Sequence, residues 1–160
     1  MIAFYVKDII IHSKNKSKKM KAHIITVYLI FLTLSIFAQN KEADKILGVW
    51  LNEEKDGKVE IYKKAGKYFG KIVYSKDSPN GYDRENPKPK LRNRKIVGLE
   101  ILTNFEYNGV VWEDGKIYDP KSGNTYSCKM TLENSKTLNI RGFVGFSLLG
   151  RTTIWTRSTK

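Results

Sequence analysis

Histidine and cysteine are nearly missing from this chain of 160 residues, which holds two histidines, His12 and His23, and one cysteine, Cys128. Both histidines fall within the first 38 residues, so the rest of the chain has no imidazole. For residues 39–160 that excludes a Ser-His-Asp or Cys-His nucleophile pair, a histidine-based zinc site and a histidine general base. A single cysteine forms neither an internal disulfide nor a cysteine-rich metal site. Its alternation with Tyr126, Met130 and Leu132 marks Cys128 as a small buried core residue, and it lies too far along the chain to carry a lipid. Proline is scarce too, with three of its four occurrences, Pro79, Pro87 and Pro89, in one stretch. The apolar run 24–37 is short of the about 20 residues that a stable membrane anchor needs.

That run nevertheless carries information. Met20 and Lys21 precede it, and Ala38 and then Gln39 follow it. A positive start, an apolar centre and a small residue before a polar segment make the pattern of a secretory signal peptide, cut after Ala38. Residues 1–19 then read as an upstream extension, as a misplaced start would produce, 20–38 as the signal peptide, and 39–160 as one domain. The expected location is extracytoplasmic, periplasmic or secreted. Two competing readings of the segment are a helix buried in the fold and, given the cationic flank 14–21, a retained anchor.

The whole chain has a formal charge of +13, and residues 39–160 hold 23 basic against 15 acidic side chains, a net +8. Fourteen aromatic residues among those 122 supply one core and leave no room for a second. Turn signals recur about every ten residues, and the segments between them alternate apolar and polar, the period of half-buried strands. Strands are expected at 46–52, 59–63 and 68–75, the last two joined at Ala65-Gly66, and then at 96–107, 110–112, 116–119, 126–133, 137–142 and 151–157. Asp114-Gly115 is a turn or bulge signal. Between 76 and 95 alternation lapses into a long loop, a kind of segment that is often functional. Seven to nine antiparallel strands in sequence predict an all-β fold, a single up-and-down barrel of about eight strands, since closure removes exposed edges.

Four constellations bear on chemistry. In a barrel the first and last strands meet, so Gly48 and Trp50 would lie beside Trp155 and Arg157 and close one end by cation–π packing; a Gly-x-Trp opening with a terminal Arg resembles the lipocalin-type barrels. The stretch 84–95 holds six basic residues against one acid and offers a positive surface to an anionic partner, or else pairs locally. Asp119 before Pro120 suits a turn that accepts backbone hydrogen bonds, while Glu113, Asp114 and Asp119 are the carboxylates a glycosidase would use. Asp77, Asn80, Asp83 and Glu85 lack the spacing of a calcium loop and read as a turn.

Gly48-x-Trp50, Asp83 with Asn86-Pro87 and Leu91-Arg92-x-Arg94, Gly98-Leu99, Gly115-x-Ile117-Tyr118-Asp119-Pro120, Gly123-x-x-Tyr126, Leu138-x-x-Arg141-Gly142 and Trp155-x-Arg157 occur in that order. Together they resemble the bacterial family called domain of unknown function 2147, from Ile46 to Arg157. The resemblance implies an exported, lipocalin-like β-barrel and no established activity. Lys88 stands where the family often has an acid and Lys95 where proline is common, so this loop is more basic than usual.

The expected function is therefore binding and not catalysis. A small apolar or amphiphilic ligand would sit in the open end of the barrel, with Tyr62, Tyr74, Asn86, Arg92, Arg94, Tyr118, Asp119 and Tyr126 as candidate contacts. The alternative is an interaction protein that uses 84–95 to contact an anionic envelope component. Its affinity would fall with salt, because exposed charges are screened within about 8 Å at physiological ionic strength. No cofactor, metal or nucleic acid is expected; nucleic-acid binding would call for aromatics interleaved in the basic run.

Overall fold

The computed structural model of the protein describes residues 41–77 and 81–158. The extension 1–19, the signal-like segment 20–38, both histidines, Pro79 and Asn80 lie outside the described residues. The chain divides between Glu42 and Ala43, and every strand and the whole core cluster fall in the second unit, Ala43–Lys160. That unit carries its own core.

Eight strands close into one antiparallel barrel in which every strand pairs with its sequence neighbours: β1 (Gly48–Leu51), β2 (Gly57–Lys64), β3 (Lys67–Ser75), β4 (Glu100–Tyr107), β5 (Trp112–Asp119), β6 (Asn124–Asn134), β7 (Thr137–Phe143) and β8 (Gly150–Arg157). The all-β, up-and-down expectation holds. Strand parity sets the two faces. Val59 and Ile61 turn inward and are buried, while Glu60 and Lys71 pair on the outside at 2.9 Å, as do Lys67 and Glu106 at 2.6 Å. An apolar lining and a charged outer wall reverse the pattern of a membrane-spanning barrel, whose outer band is apolar. Among the described residues no helix is long and apolar enough to cross a membrane.

Two strand expectations need correction. The strand foreseen from Ile96 begins at Glu100, because Gly98 at φ +94° turns the chain, with Leu99 N–H donating to Ile96 O at 3.1 Å. The separate strands foreseen at 110–112 and 116–119 are one strand, β5. Asp114 at φ +58° makes a bulge and not a chain reversal, shifting the register between Trp112 and Gly115. Asn104 at φ +63° does the same opposite it in β4; Asn and Asp tolerate this conformation better than other side chains.

In an up-and-down barrel successive connections alternate between ends. The tight turns 65–66, 108–111 and 135–136 lie at one end, with the start of β1 and the end of β8. This end is closed. A 3-10 turn, Asp44–Ile46, precedes β1, and Ile46 is fully buried. Its carbonyl accepts the Trp50 indole N–H at 2.8 Å. The Arg157 guanidinium lies 4.1 Å from the centre of the Trp50 ring and donates to Leu47 O at 2.8 Å, Lys45 O at 2.6 Å and Ser135 O at 2.7 Å. Gly48, at φ +125°, is needed here, since a Cβ would come within 2.9 Å of the Arg157 Nη1. The closure foreseen from Gly48, Trp50 and Arg157 is thus present. Asp44 completes the plug, accepting from the Tyr68 hydroxyl at 2.6 Å and Lys63 at 2.8 Å. Above it the interior is filled by Trp50, Tyr68, Phe105, Trp112, Met130 and Leu138, each essentially buried.

Candidate functional site

The other end carries the connections 52–56, 76–99, 120–123 and 144–149, and here the same strands enclose a cavity of about 650 Å³. Its wall comes from inward-facing residues one or two steps nearer the open end than the aromatic fill: Val59, Ile72, Ile101, Ile117 and Ile140, with Gly142 lacking a side chain altogether. Trp155 forms part of the same wall. On most strands an isoleucine, a valine or a glycine stands here in place of the large side chains of the closed end, and the lost volume is the cavity, with Tyr118, Tyr126, Phe143 and Trp155 completing its lining.

The rim is polar. Glu53, Glu54, Asp56, Asp77 and Asp119 border it with Lys121 and Arg151. Lys121 reaches from the β5–β6 turn to Glu54 and Asp56 on the β1–β2 connection at 2.9 and 2.8 Å. Hydrogen bonds from Lys121 and Asn52 hold the Asp56 carboxyl below its usual pKa, and the bonds to Asp56 and Glu54 push the Lys121 ammonium up. Two turns that are distant in sequence are tied across the mouth in this way.

A second cluster fixes the long connection. Asp83 is fully buried; one carboxylate oxygen accepts from the Tyr118 hydroxyl at 2.5 Å, and the other from Arg94 at 2.7 Å and the Asn86 amide at 2.8 Å. Burial alone would raise the Asp83 pKa, but these three donors outweigh it and hold it below the ordinary value. Burial and the bond to Asp83 push the Tyr118 hydroxyl up to about 12. Arg92 donates through Nε to Asn86 O at 2.8 Å, and a bridge between Tyr82 and Lys95 closes the base of the loop. Gly123 on the β5–β6 turn lies under this loop, at φ +73°, where a Cβ would come within 1.9 Å of Glu85 O. The polar residues of 81–96 thus latch the loop to β5.

Of the expected contacts, Tyr118, Asp119 and Tyr126 border the cavity. Asn86, Arg92 and Arg94 instead belong to the latch. Arg94, expected at the mouth, is turned toward Asp83. Tyr62 is on the outer wall, its ring stacked on Phe69, its hydroxyl donating to Glu100 and Lys71 above its face. With Val59 and Ile61 inward, period two puts Tyr62 outward. Tyr74 pairs with Lys58 after a register shift at Lys58/Val59 and is 44% exposed; a one-residue slip moves a side chain to the other face. Trp155, expected in the closure, lines the cavity, one inward position beyond Arg157. The isoleucines and Arg151 were not foreseen; their alternation was visible, but which half of each strand is hollow depends on register.

Asp119 serves its turn, accepting from Lys121 N–H at 2.9 Å and the Ser122 hydroxyl at 2.7 Å. Glu113 and Asp114 lie toward the closed end of β5, five or six residues away. That is roughly 20 Å along a strand, too far for a glycosidase pair with Asp119. Cys128 is buried, and burial pushes its thiol up to about 12. Among the described residues no group of three or more His, Cys, Asp or Glu side chains is placed to hold a metal ion.

A closed eight-stranded up-and-down barrel, plugged at one end beneath a Trp–Arg pair and hollow at the other, is a lipocalin-like barrel. The chain belongs to the family described as "Uncharacterized protein conserved in bacteria (DUF2147)", whose profile matches residues 48–157. It is similar to a solved structure, protein HP1028 from the human pathogen Helicobacter pylori, described as belonging to the lipocalin family, with a TM-score of 0.66 and 25% identity over 71% of this chain and 83% of that one. No curated protein matches the chain.

Proposed function

We propose that this barrel binds one small, largely apolar or amphiphilic molecule through its open end, outside the cytoplasm, and holds it without chemical change. The cavity of about 650 Å³ carries this reading. Its volume lies within the range of about 300–1,000 Å³ usual for small-molecule sites, its wall is mostly apolar, aliphatic with some aromatic rings, and its rim is polar. An eight-stranded barrel has room for one small ligand where it is not filled by side chains. The lipocalin-family likeness supports the same reading. Binding fits better than catalysis, because residues 39–160 contain no histidine, Cys128 is buried as a thiol, and both oxygens of Asp83 are engaged by its three donors. The extracytoplasmic location rests on the signal-like segment 20–38.

Gly142 supplies the test. A Cβ there meets only ordinary contacts, Ile117 at 3.5 Å and Tyr126 at 3.7 Å, and faces the cavity. Gly142→Leu should therefore fill the site without straining the barrel. The expected result is saturable binding of a neutral apolar fluorophore such as N-phenyl-1-naphthylamine by the wild type, lost in the variant, together with a small-molecule adduct in native mass spectra of protein taken from its own envelope. Absence of both probe binding and adduct would sink the proposal.

A second reading, contact of 84–95 with an anionic envelope component, rests on the exposed Lys88, Lys90 and Lys95. The three arginines of that stretch are engaged locally, with Arg84 stacked over Tyr82. Charge reversal at the three lysines should abolish any salt-sensitive binding of this kind.

A further inference from the structure

The connection 144–149 is the least covered apolar segment among the described residues. Val144, Phe146, Leu148 and Leu149 are 69%, 80%, 88% and 78% exposed, and they account for four of the five most exposed large apolar residues described. Scattered apolar residues on a surface need no explanation, but a contiguous set marks a contact site.

This tip is also braced. Arg141 of β7 donates through Nε to Ser147 O at 2.8 Å and through Nη2 to Leu148 O at 3.2 Å, while Nη1 holds Thr152 at 3.0 Å. Leu149 N–H closes a turn onto Phe146 O at 3.1 Å. Three backbone carbonyls of the tip, those of Phe146, Ser147 and Leu148, are thus bonded within the protein while the apolar side chains stay exposed, which lowers the cost of moving the tip out of water.

The surroundings say what it meets. Arg151 follows the tip after Gly150, and the connection 76–99, with exposed Lys88, Lys90 and Lys95, leaves the same end of the barrel. Of the rim carboxylates at that end, Glu54 and Asp56 are paired with Lys121 and Asp119 is held in its turn, so the bases of 84–95 with Arg151 outnumber Glu53, Asp77 and Glu85. Residues 39–160 carry a net +8. Shallow apolar insertion and attraction by basic residues are the two signals that together hold a protein on an anionic membrane surface. A second copy fits less well, since a two-fold contact would set each tip and its Arg151 against the same elements of the other copy. Phe143, Val144 and Leu149 also line the cavity, so the tip and the cavity wall share residues.

We propose that the open end of the barrel docks on an anionic lipid bilayer, with the tip 144–149 inserted among the headgroups and the basic residues beside it. The contact stands whether or not the cavity holds a ligand.

Residues 39–160 should sediment with vesicles of phosphatidylcholine mixed with phosphatidylglycerol, more than with phosphatidylcholine alone, and less as salt is raised. Phe146→Asp with Leu148→Asp should weaken that binding about 100-fold, as each lost side-chain transfer corresponds to about tenfold. Near-ultraviolet dichroism unchanged in the double variant would show that the barrel persists, which an exposed tip predicts. Failure to sediment with either vesicle would overturn the proposal, as would binding indifferent to the double change or to the anionic lipid. So would a dimer dispersed by the double change in a protein that ignores vesicles.

Discussion

At the closed end Arg157 gives its guanidinium to three backbone carbonyls and the face of Trp50, and the interior beside it is packed with aromatic rings. At the open end the strands carry Ile101, Ile117, Ile140 and Gly142, and the interior is hollow. Single strands show both states. Along β5 the inward positions run from Trp112 to Gly115 to Ile117, and along β7 from Leu138 to Ile140 to Gly142. The backbone is one continuous ladder, so the difference between plug and cavity lies in side-chain volume. Polar groups divide in the same way: Asp44 pins the plug, and Asp83 pins a loop at the mouth.

The comparison breaks most severely at Trp50. Trp50→Ala removes a fully buried side chain, the Arg157 stack and the bond to Ile46, and should cost about 3–5 kcal/mol, read as a lower urea midpoint. A loss well under about 2 kcal/mol would mean the plug is not where stability resides.

Asp83→Asn attacks the latch, leaving Arg94 and Tyr118 without their carboxylate. The expected cost at neutral pH is about 1–3 kcal/mol. Because the folded pKa of Asp83 lies below the unfolded value of about 3.9, its stabilisation is fully present above that value and is lost as pH falls through the folded pKa. The gap between wild type and variant should therefore close in acid. Asp44 follows the same sign: burial works against its charge, but Lys63 and Tyr68 prevail and lower its pKa. Asp44→Asn should give a parallel acid profile from the opposite end, and a gap that stays constant with pH would refute the linkage for either group.

Filling the hollow end should matter far less to stability. Gly142→Leu is expected to change it by under about 1 kcal/mol, below the 1–3 kcal/mol that overfilling a packed core costs, while abolishing probe binding. A large destabilisation would show that this end is already packed.

The smallest effect is chemical. Cys128 lies between Tyr126 at the cavity and Met130 in the packed half, and its thiol is pushed up to about 12. It should resist a disulfide-forming thiol reagent until the barrel unfolds; rapid native reaction would mean that the cavity reaches down to Cys128.

Much of the barrel was legible. Gly66 at φ +79° stands where the sequence put a tight turn, and Asp114 where it put a bulge signal. Parity along β2 was visible in the alternation, yet Tyr62 was expected at the ligand; with Val59 and Ile61 inward it faces out. Tyr74 was not legible, because a register slip has no local sequence signature. Nor was the role of Asn86, Arg92 and Arg94, since a basic loop looks the same in sequence whether Arg94 faces solvent or a buried carboxylate 11 residues away. The tip left a plain signal, five large apolar residues within 143–149, between two strand patterns.

The seam between β1 and β8 matches only two residue pairs, Trp50 with Arg157 and Leu51 with Thr156, where β7 and β8 match seven. It joins residues more than a hundred positions apart, so it belongs to the contacts of highest sequence separation, which form slowly. Until β8 pairs with β1, the strands form an open sheet with two bare edges, the state most exposed to wrong partners. Closure of the ring therefore waits on β8, and the arginine that seals the finished barrel sits in the contact that completes it.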